Sequence, residues 1–204
     1  SADTLKYYGE QMPETDRHEL LDTIHIEGER LDRYIQNLLD MTRLGHQGLT
    51  LSRAWIGVDE LIGSATERLK RYQPHVSINS SFAEELPALY VHPALIEQAI
   101  FNVLENAAKF SPDNVPIEVN IQQVESYLQI EIEDQGIGIP ENEREQIFDM
   151  FYTMQRGDRG KTGTGLGLSI VKAIIGAHMG SIDAFSGKHG QGTLIRIRLP
   201  LHQD

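Results

Sequence analysis

Three groups of residues in this chain have types and spacings suited to chemistry. Asn102, Asn106 and Lys109 stand four and three residues apart, so a helix there projects all three from one face. Amide oxygens are suitable hard ligands for Mg2+, and a lysine beside them can neutralise phosphate oxygens. The same trio also suits the solvated side of an amphipathic helix. Asp134 leads into Gln135-Gly136-Ile137-Gly138-Ile139-Pro140. A carboxylate fixed at the end of a strand can accept a hydrogen bond from an exocyclic amine, and glycines let backbone come close to a ligand; acidic residues beside glycines are also ordinary turn chemistry. The third group is Gly163, Gly165 and Gly167, just ahead of a helical pattern. Backbone N–H groups at such a helix start, with the helix dipole, form an anion site, although a glycine run also serves as a connector. Arg156, Arg159 and Lys161 precede it and supply local positive charge.

Other elements must position these groups. Leu95, Ile96, Ala99, Ile100, Val103, Leu104 and Ala107 give the asparagine-bearing helix an apolar face, and Pro93 suits its first turn. Leu128, Ile130 and Ile132 alternate with polar residues up to Asp134, as a strand with one buried face does, and Ile117 to Ile121 pairs with it through a turn at Glu125-Ser126. Further expected elements are an extended segment from Leu49 to Ile56, a helix from Val58 to Arg71, and strands at 76–78, 88–91, 182–185 and 193–199. A short helix is expected from Glu141 to Phe148, and a longer one from Gly165 to Met179. Residues 152–162 lack apolar periodicity and read as a mobile loop, a lid in which the basic residues close on phosphate. Leu20, Ile24, Gly28, Leu31, Ile35 and Leu38 form a heptad-like seam, which suits either a core-facing helix or one helix of a dimeric bundle. Gly45-His46-Gln47-Gly48 is the expected linker.

The 204 residues carry a net charge of −12, 40% hydrophobic and 24% charged residues, and no cysteine. That is a globular composition without a disulfide framework or a thiolate metal site, and without the basic surface that nucleic-acid binding needs. No apolar run has the length of a membrane span. The first residue is serine, so an excised fragment is expected. No histidine cluster has zinc spacing, and Gly160-Lys161-Thr162 lacks the earlier glycine of a P-loop.

Taken in order, the asparagine-rich helix, D-x-G-x-G, the aromatic pair Phe148 and Phe151, and G-x-G-x-G-L resemble the ATP-binding domain of sensor histidine kinases. Asn37-Leu38-Leu39-Asp40-Met41-Thr42-Arg43-Leu44 is similar to the end of the second dimerisation helix in that family, and with Trp55 it resembles the Kdp-type potassium sensor kinases. The resemblance implies a two-layer α/β sandwich of the Bergerat (GHKL) type over residues 46–204, a mixed sheet with helices on one face. Before it, 1–45 would be the remains of a dimerisation bundle carrying one long helix.

For the site it implies Asn106 as the principal Mg2+ ligand with Asn102 assisting, and Lys109 and Phe110 contacting ATP. Glu105 would orient groups beside that face. Asp134 would read the N6 amine of adenine, supported by Thr193, with Gly136 and Gly138 passing close to the base. Arg156, Lys161, Gly163, Gly165, Leu166, Gly167 and Leu168 would serve the phosphates. Related ATPases carry glutamate where this chain has Asn102, and an amide cannot take a proton, so slow hydrolysis is expected. His18-Glu19-Leu20 lacks the rest of the family's acceptor motif, so the phosphoacceptor is expected upstream of Ser1. The implied partners are a response-regulator receiver domain and a second kinase copy. The implied location is cytoplasmic, with a parent anchored in the inner membrane. The rival readings are a GHKL ATPase, a protein-serine kinase and a non-catalytic nucleotide-sensing module.

Overall fold

Strand alternation and a helix-starting proline are local signals; the sheet they build is set by pairing. The structure, a computed structural model, describes residues 12–18, 20, 21, 24, 28, 52–112, 114–153, 165–188 and 190–201. The chain divides into two compact units, Ser1–His46 and Gln47–Asp204. In the first, residues 14–18, 20, 21, 24 and 28 are helical. The rest of the seam, the Asn37–Leu44 run and the linker lie outside the described residues.

The second unit runs β1 (Ala54–Ile56), α1 (Val58–Tyr72), β2 (Ile78–Phe82), β3 (Leu89–Val91), α2 (Pro93–Phe110), β4 (Ile117–Val124) and β5 (Tyr127–Glu133). Two short 3-10 turns follow, Glu141–Glu143 and Gln146–Phe148, then α3 (Gly167–Ala177), β6 (Ser181–Ser186) and β7 (Thr193–Pro200). Five strands form one sheet in the order β2-β4-β5-β7-β6, while β1 and β3 pair separately. Only β2 and β4 run parallel, so the sheet is mixed. Register lines Val119, Ile132 and Ile195 into one row and Ile121, Ile130 and Ile197 into the next. These rows are buried, as are the inward residues of α1, α2 and α3. They make a two-layer core with helices on one face, and each fully buried aliphatic side chain contributes about 1.5–3 kcal/mol.

The other face of the central strand is also covered. Gln129, Glu131 and Glu133 are 4%, 9% and 8% exposed. Arg196 Nε donates to Glu131 Oε1 at 2.9 Å, and Arg198 Nε donates to Gln129 Oε1 at 3.0 Å. Phe185 lies under the Arg196 guanidinium at 4.5 Å. The arginine stems thus roof β5 with apolar carbon, while the Arg196 head neutralises Glu131 and the Arg198 head serves the Gln129 amide.

Three of the boundary shifts have a clear physical cause. The expected helix from Glu141 to Phe148 is two 3-10 turns, because the segment is too short to bury a helical face. The strand expected at 76–78 begins at Ile78, since pairing with Ile117 to Ile121 rather than apolar content defines it. The helix expected from Gly165 starts at Gly167, as Gly165 has φ +69°, outside the right-handed helical region.

His178 ends α3 as a fully buried joint. His92 N–H donates to its Nε2 at 3.1 Å, and its Nδ1 lies 2.8 Å from Ile174 O. A carbonyl only accepts, so the proton sits on Nδ1 and the ring is neutral. Burial lowers its pKa from 6.5, the Ile174 bond opposes this, and the charges of Arg53 and His92 add to the lowering. A depressed folded pKa means the stability it confers is whole above 6.5 and is lost as pH falls through the folded value. Urea midpoints should therefore fall between about pH 7.5 and about pH 5.5 by an amount equivalent to at most about 1.4 kcal/mol, one proton over the one unit below 6.5. His178→Gln should flatten that component of the profile; an unchanged slope would refute the assignment.

Candidate nucleotide site

One helix, α2, carries both halves of the site. His92 caps it, its Nδ1 accepting from Leu95 N–H at 3.4 Å, and Pro93 opens it. One turn before its end, Asn106 faces the start of α3: a β-carbon placed on Gly167 would lie 3.6 Å from Asn106 Nδ2. At its end, Phe110 meets the D-x-G-x-G turn, where a β-carbon on Gly136 would overlap the Phe110 carbonyl. Glycine at 136 is what allows that approach.

The turn is organised by a buried carboxylate. Asp134 is 7% exposed. Its Oδ1 accepts from Gly136 N–H at 2.8 Å and from Thr193 N–H at 3.2 Å. Asp134 N–H in turn donates to Thr193 O at 2.9 Å. Burial raises the Asp134 pKa, and the hydrogen bonds from Gly136 and Thr193 pull it down in part. The Thr193 side chain also hydrogen-bonds the carboxylate, and with two lone pairs on each oxygen the group can still accept from an amine. Gly138 stands against the Gly192 carbonyl, with 3.0 Å left for a β-carbon. The β6–β7 turn is tied to the same place, because Glu133 accepts from Lys188 N–H.

Of the remaining expected site residues, Leu166 is buried and its carbonyl accepts from Ser169 Oγ at 2.9 Å. Leu168 and Glu105 are half-buried. Lys109 lies along α2 with its ammonium 5.1 Å from the Phe110 ring centre. Gly165 O accepts from Phe151 N–H at 3.0 Å, which joins the aromatic segment to the glycine turn. Phe148 is buried and Phe151 exposed. Asn102 is 3% exposed, with its amide engaged by Gln98 and by the Gly167 carbonyl. Arg156, Lys161 and Gly163 lie outside the described residues. Gln98 was missed by sequence reasoning, although its four-residue spacing from Asn102 was a readable signal. A depression of about 340 Å3 lined by Asn120, Gln122, Glu131 and Lys188 holds none of these groups.

Asn106 passes the test for a hard cation. It is half-buried, it offers an amide oxygen, and no hydrogen bond to its side chain occurs among the described residues. Among those residues no cluster of histidine, aspartate and glutamate competes for a metal.

Residues 91–203 match the family described as "Histidine kinase-, DNA gyrase B-, and HSP90-like ATPase". The chain belongs to this ATPase family. Within the family the relatives named here are sensor kinases. It is 34% identical to the Sensor protein KdpD of Clostridium acetobutylicum over 98% of this chain and 22% of that protein. It is 36% identical to the Sensor protein KdpD of Escherichia coli over 82% of this chain and 18% of that protein. Among solved structures, a mycobacterial sensor histidine kinase, MprB, superposes with a TM-score of 0.64 at 30% identity, covering 72% of this chain and 97% of that one. The chain spans about a fifth of the length of the curated relatives named here. Its ATPase-family region is thus of the sensor histidine kinase type and binds ATP. Among the described residues no helix is long and apolar enough to cross a membrane.

Proposed function

We propose that residues 46–204 are the phosphoryl-donating half of a sensor histidine kinase, and that 1–45 belong to its dimerisation bundle. The observation that carries this is the convergence on α2 of Asn106 beside Gly167 and of Phe110 beside the Asp134 turn. Asp134 takes the N6 amine of adenine on its second oxygen, with the Thr193 and Gly136 N–H groups fixing the first. Gly165, Gly167 and the first turn of α3 receive phosphate oxygens, with Arg156, Lys161 and Gly163 from the preceding loop. Asn106 holds Mg2+, which would spread the negative charge of the phosphates.

In the transfer step an imidazole nitrogen of the acceptor attacks the γ-phosphorus. A P–N bond forms, the bond to the β–γ bridging oxygen breaks, ADP leaves and the imidazole gives up a proton. A receiver-domain aspartate of a response regulator then takes the phosphoryl group. This domain holds and orients the donor and keeps water from competing. Identity to two KdpD proteins supports a Kdp-type parent, dimeric and membrane-anchored.

A hydrolytic role is disfavoured by Asn102, a buried amide where a water-activating base would stand, and by Glu97, which is paired with Arg68 at 3.3 Å. A general base contributes about 10²–10⁴-fold. Steady-state phosphate release should therefore run at least about 100-fold below the rate of phosphoryl transfer to an added acceptor bundle. Release as fast as transfer would favour the ATPase. Calorimetry with Mg-ATP tests the site itself, and no binding heat or competition would reject it.

A further inference from the structure

The asparagine at position 102 is held by a chain of side chains that starts on a different helix. Arg68 of α1 stands over the Phe101 ring at 4.1 Å. Its Nη1 donates to Gln98 Oε1 at 2.8 Å and lies 3.3 Å from Glu97 Oε2. Gln98 Nε2 donates to Asn102 Oδ1 at 2.8 Å, and Asn102 Nδ2 donates to Gly167 O at 3.5 Å, the longest link.

The chain has a fixed direction. A guanidinium has donors and no acceptor, so Gln98 must turn its carbonyl oxygen to Arg68 and its NH2 to Asn102. That NH2 needs an acceptor, so Asn102 turns its own oxygen inward and its NH2 to the glycine turn. Flipping either amide would set donor against donor or acceptor against acceptor. The oxygen of Asn102 is thereby turned to Gln98, and it is the NH2, which cannot ligate a cation, that faces the glycine turn.

We propose that Arg68 and Gln98 are positioning residues that commit Asn102 to gripping the Gly167 carbonyl, so that it braces the phosphate-binding turn and does not ligate Mg2+, leaving Asn106 as the α2 ligand. The proposal rests on the nucleotide reading of the site. It gives α1, which carries none of the candidate site residues, control over how well the glycine turn is formed.

The test separates bracing from metal ligation. Nucleotide affinity is measured with Mg2+ and with EDTA for the wild type, Gln98→Glu, Arg68→Met, Arg68→Lys, Asn102→Ala and Asn106→Ala. Gln98→Glu keeps size and the contact to Arg68 but cannot donate to Asn102. It, Arg68→Met and Asn102→Ala should weaken binding about tenfold in both conditions, with the ratio of the two affinities unchanged. Arg68→Lys keeps a donor and should recover most of the loss. Asn106→Ala should collapse the ratio. Thermal melts confirm that each variant is folded; if Gln98→Glu is not, Arg68→Met and its lysine counterpart carry the comparison. Unchanged affinity in Gln98→Glu and Arg68→Met overturns the proposal, as does a ratio in Asn102→Ala that falls as in Asn106→Ala. Without nucleotide, the side-chain amide protons of Gln98 and Asn102 should exchange slowly in the wild type and quickly in Arg68→Met. Fast exchange in both refutes the chain by itself, whereas slow exchange in a protein that binds no nucleotide would mean that the site reading, not the chain, has failed.

Discussion

Asp134→Asn should abolish tight nucleotide binding while leaving the fold intact. The substituted amide oxygen can still accept from Gly136 N–H and Thr193 N–H, now 2.8 and 3.2 Å from Asp134 Oδ1. The other atom becomes an NH2 that faces the exocyclic amine of adenine, donor against donor. A charge-assisted bond is lost and a clash of donors replaces it, about 2–4 kcal/mol, or about 30- to 1000-fold in affinity. Stability should move the opposite way. Burial raises the Asp134 pKa, so its favourable contribution is present below the usual carboxylate range and is lost as pH rises through the folded value. At neutral pH the ionised group is a cost to the fold, which an amide does not carry. Calorimetry and thermal melting on the same preparation decide the matter. Retained affinity, or a melting point well below wild type, would contradict this account of the turn.

The second large effect is expected from Gly192→Ala. Gly192 has φ +78°, and a β-carbon there would overlap the Asp134 carbonyl. Both the backbone and the packing object, so the loss should reach about 3 kcal/mol or more, a fall in melting temperature of about 6–12 °C for a unit of this size. Nucleotide affinity should drop with it, because Thr193 N–H must leave Asp134 for the chain to make room. Gly190→Ala is the control. Gly190 also has a positive φ, +73°, but nothing lies within 4 Å of the added carbon, so about 1 kcal/mol is expected. Equal losses in the two variants would show that backbone strain alone, not the contact with Asp134, sets the cost.

How much of this could be read from the letters differs between elements. Helix α2 and the β4–β5 hairpin were legible because their signals are local: Pro93 at the first turn, apolar residues every three or four positions, strict alternation up to Asp134. The register that buries Gln129 and Glu131 under Arg198 and Arg196, and Glu133 beside Lys188, was not legible, because alternation marks one face as apolar and is silent on what roofs the other. Edge strand β2 was misplaced for a related reason: its residues after Ile78 are exposed, so only pairing with β4 defines it. In the site, Asp134 was singled out by its place at a strand end and Thr193 through a resemblance, and Thr193 N–H donates to the Asp134 carboxylate. The Gln98 partner of Asn102 was readable from spacing within α2, but Arg68, which orients it, stands on a separate helix that no such spacing could reveal. The basic loop residues Arg156 and Lys161 stand as proposals from the sequence.

Placing both halves of the site on α2 has a geometric consequence. Asn106 and Phe110 are one helical turn apart, about 6 Å along the axis at about 1.5 Å per residue. The base-side and phosphate-side turns are therefore spaced by backbone hydrogen bonds of a single rod, not by the reach of pliable side chains. Such a rod works as a ruler: a ligand lengthened or shortened between its base and its phosphates would be out of step at one end or the other, whatever residues line the space between.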